Sequence, residues 1–219
     1  MIELTPALVR QVPKNGPTDP IEYYRRPFVG WLFRERINLG LRLLPEGRFV
    51  KALELGYGAG ALQLALAGAV DELHGIDLDA DPEVVSAILA RSGKAARLVR
   101  GSVYELPYGD ASFDLVFCFS VFEHLHEHAR GLAEVARVMK PGGLFLLGMP
   151  SVNKLMEAGF QLIGFKGIED HHVTTPETVS RGFQAAGLRV VKRSHLDFPA
   201  PRPLGMRLYH NWLLEKPNA

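Results

Sequence analysis

The fold of this chain is decided by the stretch Phe49-Val-Lys-Ala-Leu-Glu-Leu-Gly-Tyr-Gly-Ala-Gly-Ala-Leu-Gln-Leu-Ala-Leu-Ala67. The residues up to Leu55 form a short apolar run that predicts a buried strand, and those after the glycines predict a packed helix. A strand, a glycine-rich turn and a helix form the first half of a nucleotide-binding βαβ unit. The glycines allow the backbone to approach a ligand closely, and the start of the helix presents N–H groups to it.

A second strand ending in an acid follows, in Glu72-Leu-His-Gly-Ile-Asp77. A carboxylate at this position can accept hydrogen bonds from both hydroxyl groups of a ribose. The residues Gly56-Tyr-Gly-Ala-Gly-Ala61 satisfy the dinucleotide fingerprint G-x-G-x-x-G/A, with Asp77 at the expected distance. One interpretation is therefore an oxidoreductase that uses the dinucleotide NAD.

The same turn also reads Glu54-x-Gly56-x-Gly58-x-Gly60, and this pattern resembles motif I of the class I S-adenosylmethionine (SAM)-dependent methyltransferases. SAM has no pyrophosphate, but it carries an α-ammonium group and a carboxylate. An acid just before the glycine turn suits the ammonium group, and backbone N–H groups suit the carboxylate. Glu54 thus separates the two interpretations, unless it is only a salt-bridged carboxylate at the end of a strand.

Strands alternate with helices of about ten residues along the next part of the chain, which implies a parallel sheet with right-handed crossovers. Asp81 is the expected N-cap of one of these helices, with Pro82 at its first position. The last two predicted strands are joined without a helix, so they pair antiparallel. The later predicted strands are Ala96–Gly101, Phe113–Phe119, Leu144–Met149, Leu188–Leu196 and Met206–Leu214.

Three further segments strengthen the resemblance to methyltransferases. Leu106-Pro-Tyr with Ser112-Phe-Asp-Leu-Val116 matches the loop that follows the third strand in that family, Glu123-His124 follows the fourth strand, and Arg137-Val-Met-Lys-Pro-Gly-Gly143 precedes the fifth. This set is typical of the type 11 (UbiE/ubiquinone-biosynthesis-like) group, and it runs from about Lys51 to Pro150. The resemblance implies an α/β, Rossmann-like seven-stranded sheet of order 3-2-1-4-5-7-6, with strand 7 antiparallel, plus an N-terminal helical segment.

Composition and length set the organisation of the chain. Its 219 residues suit one domain, in which residues 1–48 form an N-terminal arm and a cover helix, and residues 49–219 form the methyltransferase domain. The first twenty residues, which are rich in proline, predict an arm or loop. Residues 21–44 predict a helix that either forms a lid or substrate wall or simply covers the sheet.

Net charge, the length of apolar segments and the cysteine count indicate which partners and which cellular compartment to expect. A formal net charge of +1 gives no electrostatic footprint for nucleic acid, and no apolar segment is long enough to predict membrane insertion. The single cysteine, Cys118, favours a reducing cytoplasm. Whether the protein is a monomer or a homodimer stays open.

The resemblance assigns a set of cofactor-binding residues. Backbone atoms of the three glycines hold the methionine portion, and Tyr57 between them either shapes the methionine or acceptor end or packs on the first helix. Ser102 stands where the family usually has an acid, and a hydroxyl accepts a hydrogen bond from adenine more weakly than a carboxylate does. The full expected set is Glu54, Gly56, Tyr57, Gly58, Gly60, Asp77, Leu78, Ser102, Val103 and Phe119.

Catalytic residues are fewer, because a sulfonium already activates the methyl group and a base is needed only when the acceptor must lose a proton. His124 and His172 are the expected candidates for this base. One subgroup of the family binds a divalent metal through E-x-x-E-H, but Ser120 stands at the first position here, so no metal is expected.

The predicted function is transfer of a methyl group from SAM to a small-molecule acceptor, with S-adenosylhomocysteine (SAH) as the other product. The alternatives are a SAM-binding protein without turnover and the NAD-dependent oxidoreductase. The last of these leaves Glu54, the loop after the third strand and the C-terminal strand pair unexplained.

Overall fold

The computed structural model describes residues 2–17, 19–151, 173–199 and 206–218. These residues form a seven-stranded sheet with helices on both faces. The strands are β1 Phe49–Leu55, β2 Val70–Asp77, β3 Arg97–Arg100, β4 Phe113–Phe119, β5 Met139–Pro150, β6 Arg189–Phe198 and β7 Met206–Glu215. The helices are α1 Pro6–Gln11, α2 Ile21–Arg25, α3 Pro27–Leu41, α4 Ala61–Leu66, α5 Pro82–Arg91, α6 His128–Val138 and α7 Pro176–Arg181, with a 3-10 turn at Phe122–His124.

The strand order is β3-β2-β1-β4-β5-β7-β6, and this confirms the predicted topology. Strands β1 to β5 pair in parallel, whereas β7 pairs antiparallel with both β5 and β6. The parallel strands are central and covered on both faces, which is why β1 and β4 read as apolar runs in the sequence. In sheets of this kind ligands bind beyond the carboxyl ends of the strands, at the point where the strand order reverses. Here that point lies between β1 and β4.

Two apolar cores fill the two faces of the sheet. Helices α1 to α5 pack on one face, and the apolar cluster there includes Ile37 of α3, Val85 of α5 and Phe117 of the sheet. Helices α6 and α7 pack on the other, around Leu132 and Val179. The N-terminal helices therefore share a core with the strands that carry the glycine turn.

The N-terminal segment differs from its prediction as an arm or loop, because residues 6–11 form the helix α1. Thr5 caps it by accepting a hydrogen bond from the Leu8 N–H at 3.3 Å, and Pro6 occupies its first turn. Leu4 and Val9 are buried against the sheet face. The prolines argued against a helix in the sequence. With six residues α1 is too short to be stable alone, and packing stabilises it.

Two boundaries also differ. The predicted helix over residues 21–44 is interrupted at Arg26, because Pro27 disfavours a helical conformation for the residue before it. Strand β5 begins at Met139, five residues before the predicted start. Met139 pairs with Phe113 and Leu144 pairs with Leu115, so residues 140–143 form a bulge between the two pairs.

Among the described helices, none is long and apolar enough to cross a membrane.

Candidate functional site

The glycine turn between β1 and α4 adopts a left-handed backbone that favours glycine. Gly56, Gly58 and Gly60 have φ values of 78°, 48° and 80°. A Cβ atom on Gly56 would lie 2.4 Å from a methyl group of Val121, and one on Gly60 would lie 2.4 Å from a methyl group of Val85. The turn is thus pressed against the start of α5 and the end of β4, which brings the expected cofactor and acceptor regions together.

The N–H groups of the three glycines are engaged within the protein. Gly56 donates to the Ile76 carbonyl at 2.8 Å, Gly60 donates to the Tyr57 carbonyl at 2.8 Å, and Gly58 donates to Asp77 Oδ2 at 2.9 Å. These bonds fix the shape of the turn. The space beside the Gly58 Cα is open, since the nearest atom to a Cβ there would be Asp19 Oδ1 at 4.0 Å.

Asp77 ends β2 and organises the loop that follows. Its Oδ1 atom accepts hydrogen bonds from the N–H groups of Asp79 and Ala80, both at 2.9 Å, while its Oδ2 atom holds Gly58. Its carbonyl also accepts from the Gly101 N–H at 2.9 Å, which places the loop after β3 alongside. Leu78 is 66 % exposed beside this carboxylate. An exposed leucine here offers an apolar surface for a flat ring.

Glu54 lies buried beneath the turn, where it accepts a hydrogen bond from the Gln63 side chain at 2.7 Å. Burial raises the pKa of Glu54 to about 8; the bond from Gln63 opposes this rise, and the nearby charge of Asp77 adds to it. Glu54 is therefore mostly protonated at neutral pH in the unliganded protein.

The N-terminal segment covers the turn, which the sequence did not predict. The Asn15 side chain donates to the Gly58 carbonyl at 2.9 Å and to the Asp81 carbonyl at 3.1 Å, and it accepts from the Asp81 N–H at 3.1 Å. Asp19 accepts hydrogen bonds from the N–H groups of Asn15 and Ile21. Burial raises the pKa of Asp19, and the charge of Asp77 contributes. No local pattern marks Asn15, because the partners of its side chain lie 43 and 66 residues further along the chain.

The remaining cofactor candidates fall into two groups. Tyr57 is buried, with its hydroxyl donating to the Ala80 carbonyl at 3.3 Å, so it packs within the turn; burial also raises the pKa of its phenol. Ser102 Oγ accepts from the Tyr104 N–H at 3.2 Å, and Val103 is half-buried beside it. Phe119 packs between Gly40 of α3 and Gly148 of β5.

The loop after β3 is held by helix α6. Glu134 accepts a hydrogen bond from the Leu106 N–H at 2.8 Å, and the Arg137 guanidinium donates to the carbonyls of Leu106 and Tyr108. Glu134 and Arg137 are paired at 2.7 Å, and this lowers the pKa of Glu134 and raises that of Arg137. Helix α6, which follows β4 in the chain, therefore supports the loop that precedes β4.

The carboxyl end of β4 leads into the 3-10 turn that carries His124, one of the two candidate bases. Ser120 has a φ of 58°, and its N–H donates to the Gly148 carbonyl at 2.9 Å. In the following 3-10 turn Glu123 is buried and His124 is exposed. His172 lies outside the described residues. No cluster of three or more metal-ligating side chains occurs in the described ranges.

A second polar group that the sequence did not predict lies between α3 and this end of β4. Arg36 donates to the Tyr24 hydroxyl at 2.9 Å, and its guanidinium lies 5.0 Å from the ring centre of Tyr209. The hydroxyl groups of Tyr209 and Ser120 share a hydrogen bond of 2.8 Å. Arg36 is one of several arginines in residues 21–44, which the sequence predicts to be a helix. The helical period does not show which of these arginines turns inward.

Comparison with known proteins agrees with this geometry. Residues 53–147 match a family model described as a methyltransferase domain. An uncharacterized methyltransferase YcgJ of Bacillus subtilis is 35 % identical over 130 residues, which cover 58 % of this chain and 50 % of that protein. A demethylmenaquinone methyltransferase of Deinococcus radiodurans is 32 % identical over 163 residues, which cover 72 % of this chain and 65 % of that protein. The chain thus spans between half and two thirds of the lengths of these two relatives.

Among solved structures, the [4+2]-cyclase SpnF superposes with a TM-score of 0.65 at 17 % identity, over 99 % of this chain and 92 % of that one. At this identity the likeness concerns the fold alone, and the cyclase shows that the fold hosts more than one reaction. The family match, the two sequence relatives and the glycine turn agree on the family. The chain carries a methyltransferase domain of the class I SAM-dependent family, type 11 group.

Proposed function

We propose that this protein transfers the methyl group of SAM to a small-molecule acceptor and releases SAH. The observation that carries this proposal is a set of three carboxyl groups at the glycine turn, which belong to Asp19, Glu54 and Asp77. Burial is the main cause of the raised pKa values of Asp19 and Glu54, and the charge of Asp77 adds to both, so Asp77 repels each of the other two groups when they are ionised. A cationic ligand relieves such repulsion, and SAM brings an ammonium and a sulfonium group. The pyrophosphate of NAD would add two negative charges at the same place.

Each expected residue has a role within this proposal. Asp77 holds the ribose, because three of the roughly four lone-pair sites of its carboxylate accept backbone N–H groups and the remaining site, on Oδ2, can accept from a hydroxyl group. Leu78, Ser102 and Val103 frame the adenine. Asp19 and Glu54 face the ammonium end, the three glycines leave room for the methionine chain, and Tyr57 and Phe119 shape the site by packing. SAM, when bound, supplies an activated methyl group on its sulfonium.

The acceptor region is proposed to lie beyond the carboxyl end of β4. A base is required there if the acceptor loses a proton during attack. His124 and His172 are the candidates, and turnover of the variants His124→Ala and His172→Ala tests them. If both variants keep full turnover, neither histidine is the base.

The cofactor assignment is tested by calorimetric titration of the protein with SAM, SAH and NAD in parallel. Micromolar binding of SAM and SAH without an NAD signal supports the proposal. Binding of NAD without SAM contradicts it. Mass spectrometry of products over a panel of acceptors then distinguishes a methyltransferase from a SAM-binding protein without turnover.

A further inference from the structure

A buried side-chain amide lies next to the acid that is proposed to face the ammonium group of SAM. Gln63 reaches from α4 to the sheet and is fully buried. Its Nε2 atom donates to Glu54 Oε2 of β1 at 2.7 Å and to the His74 carbonyl of β2 at 3.2 Å. The amide thus joins α4 to the two strands that lead into the proposed cofactor loops.

The orientation of this amide is fixed by its partners. A carbonyl oxygen can only accept, so the NH2 end of the amide must face His74, and a reversed amide would set two oxygen atoms against each other. The other end, Gln63 Oε1, is buried and has no hydrogen-bond partner among the residues that the structure describes. A buried acceptor without a partner costs free energy and calls for an explanation. The explanation is that the amide is retained for the two hydrogen bonds that it donates.

The space around the amide is closely filled. A Cβ atom on Gly75 of β2 would lie 3.0 Å from Gln63 Nε2 and 2.9 Å from a ring carbon of Tyr57. Gly75 therefore leaves the room that the amide occupies. Because the amide is packed in this way and bonded to two strands, its N–H group is held at one place beside the Glu54 carboxyl group.

An N–H donor at this place favours the charged form of Glu54. Burial acts in the opposite direction and raises the pKa of Glu54 to about 8, and the charge of Asp77 adds to the rise. The hydrogen bond from Gln63 lowers the same pKa. The charge of Glu54 is thus set by the balance between its burial and this one amide.

The other titratable side chains nearby come from β2, β4 and the glycine turn. Burial raises the pKa values of Cys118 in β4 and Tyr57 in the turn, and it lowers that of His74, whose ring is bonded to an acid at its outer side. These three groups are therefore uncharged at neutral pH. Asp77 at the end of β2 is left as the charged group among them that acts on Glu54.

We propose that Gln63 is a positioning residue for SAM, which holds the Glu54 carboxyl group in place and favours the ionised form that the cofactor ammonium group needs. This inference rests on the proposed function and adds the residue that controls the charge of its ammonium site. Without the amide, Glu54 keeps its proton to a higher pH, and a neutral carboxyl group binds an ammonium group less tightly. Gln63 acts through Glu54 and does not need to touch SAM.

The test follows the titration of Glu54 by carbon-13 NMR of the side-chain carboxyl groups, in the full chain without ligand. The variant Gln63→Met removes the amide and keeps a side chain of similar length. The matched control Gln184→Met makes the same change at an exposed glutamine. The variant Glu54→Gln identifies the Glu54 signal by its loss. Calorimetry at pH 7 then measures the affinity of these proteins, and of the double variant, for SAH, which carries the same ammonium group.

We expect the pKa of Glu54 to rise by about one unit or more in Gln63→Met and to stay unchanged in Gln184→Met, because hydrogen bonds to charged groups are among the stronger ones. The affinity for SAH at pH 7 should fall about tenfold in Gln63→Met, since each unit of pKa makes ionisation tenfold harder. In the Glu54→Gln background, Gln63→Met should lower the affinity no further. An unchanged pKa of Glu54 would overturn the proposal, as would an equal fall of affinity in both backgrounds.

If Gln63→Met does not fold, the wild-type protein still decides. The side-chain N–H signal of Gln63 should shift with the same midpoint as the Glu54 carboxyl group in nitrogen-15 NMR. A Gln63 signal that does not follow Glu54 would overturn the proposal. Failure of SAM and SAH to bind the wild-type protein would instead overturn the proposed function. The two failures are distinct, because the Glu54 titration needs no ligand and reports on Gln63 alone.

Discussion

The Asp77 carboxylate accepts a hydrogen bond from the Gly58 N–H at 2.9 Å, and so joins the end of β2 to the turn between β1 and α4. One side chain thereby sets the position of both loops that are proposed to hold SAM. Because an acid at the end of the second strand accepts from ribose hydroxyl groups, the same carboxylate has a structural and a binding role.

Replacing this acid should weaken SAM binding. We expect the affinity of Asp77→Ala for SAM to fall by more than about tenfold, because a buried hydroxyl pair and three backbone N–H groups lose a charged acceptor. Calorimetry measures the affinity, and circular dichroism checks the fold. The control Asp71→Ala removes an exposed carboxylate from the same strand. Unchanged affinity in a folded Asp77→Ala protein would remove the ribose assignment.

Binding of SAM should be coupled to proton release from Glu54. Its pKa is about 8 in the unliganded protein, so it is mostly protonated at pH 7. A nearby ammonium group favours the ionised form, and binding therefore releases roughly one proton from this residue. Calorimetry in buffers of different ionisation enthalpy counts the protons released. We expect the release to disappear in Glu54→Gln and to persist in Asp19→Asn. Equal release by wild type and Glu54→Gln would place the ammonium group elsewhere.

The stability of the unliganded protein should fall as the pH rises through neutrality. Glu123 has a folded pKa of about 8, raised above the usual value of 4.5, so the folded state binds its proton more tightly than the unfolded state does. The resulting stabilisation is complete below pH 4.5 and is lost as the pH passes 8, with roughly 1 kcal/mol lost between pH 7 and 8.5. Burial lowers the pKa values of His74, His195 and His210, so their titration lies below this window.

Denaturant unfolding at pH 7 and pH 8.5 measures this effect. We expect Glu123→Gln to lose less stability across the window than the wild type, because the amide does not titrate. Glu127→Gln changes an exposed acid four residues further on, and it should behave like the wild type. A wild-type slope that persists in Glu123→Gln would assign the effect to another group, of which Glu54 is the first to test.

Gly60 should tolerate a methyl group less well than another glycine with a positive φ. Gly60→Ala combines a φ of 80° with a contact of 2.4 Å to Val85, whereas Gly93→Ala has a φ of 65° and no described atom within 4 Å. We expect Gly93→Ala to cost about 1 kcal/mol and Gly60→Ala about 2–4 kcal/mol of unfolding free energy. Urea denaturation measures both, and equal costs would mean that Val85 moves aside freely.

Local patterns predicted the parts of the site whose partners are near in sequence or fixed by strand order. The glycine turn and Asp77 belong to one βαβ unit, so their spacing in the sequence specifies the turn. The antiparallel last strands followed from a connection without a helix. Strand β4 was predicted at its observed bounds because it is buried on both faces.

The missed residues depend on contacts between distant parts of the chain. Asn15 bonds to residues 43 and 66 positions away, and nothing in a proline-rich segment shows this. Arg36 reaches the ring of Tyr209 only because α3 packs against β7. A helical period tells which residues share a face, but not which arginine on that face enters the protein.

The Asn15 side chain also bears on how far the protein can be shortened. A chain starting at Ile21 would retain all seven strands and every residue matched by the family model. It would nevertheless lack the amide that bridges Gly58 and Asp81, and with it one of the contacts that tie the turn to the α5 N-terminus. The part of the chain that matches the family model is therefore shorter than the part needed to keep every contact of the cofactor turn.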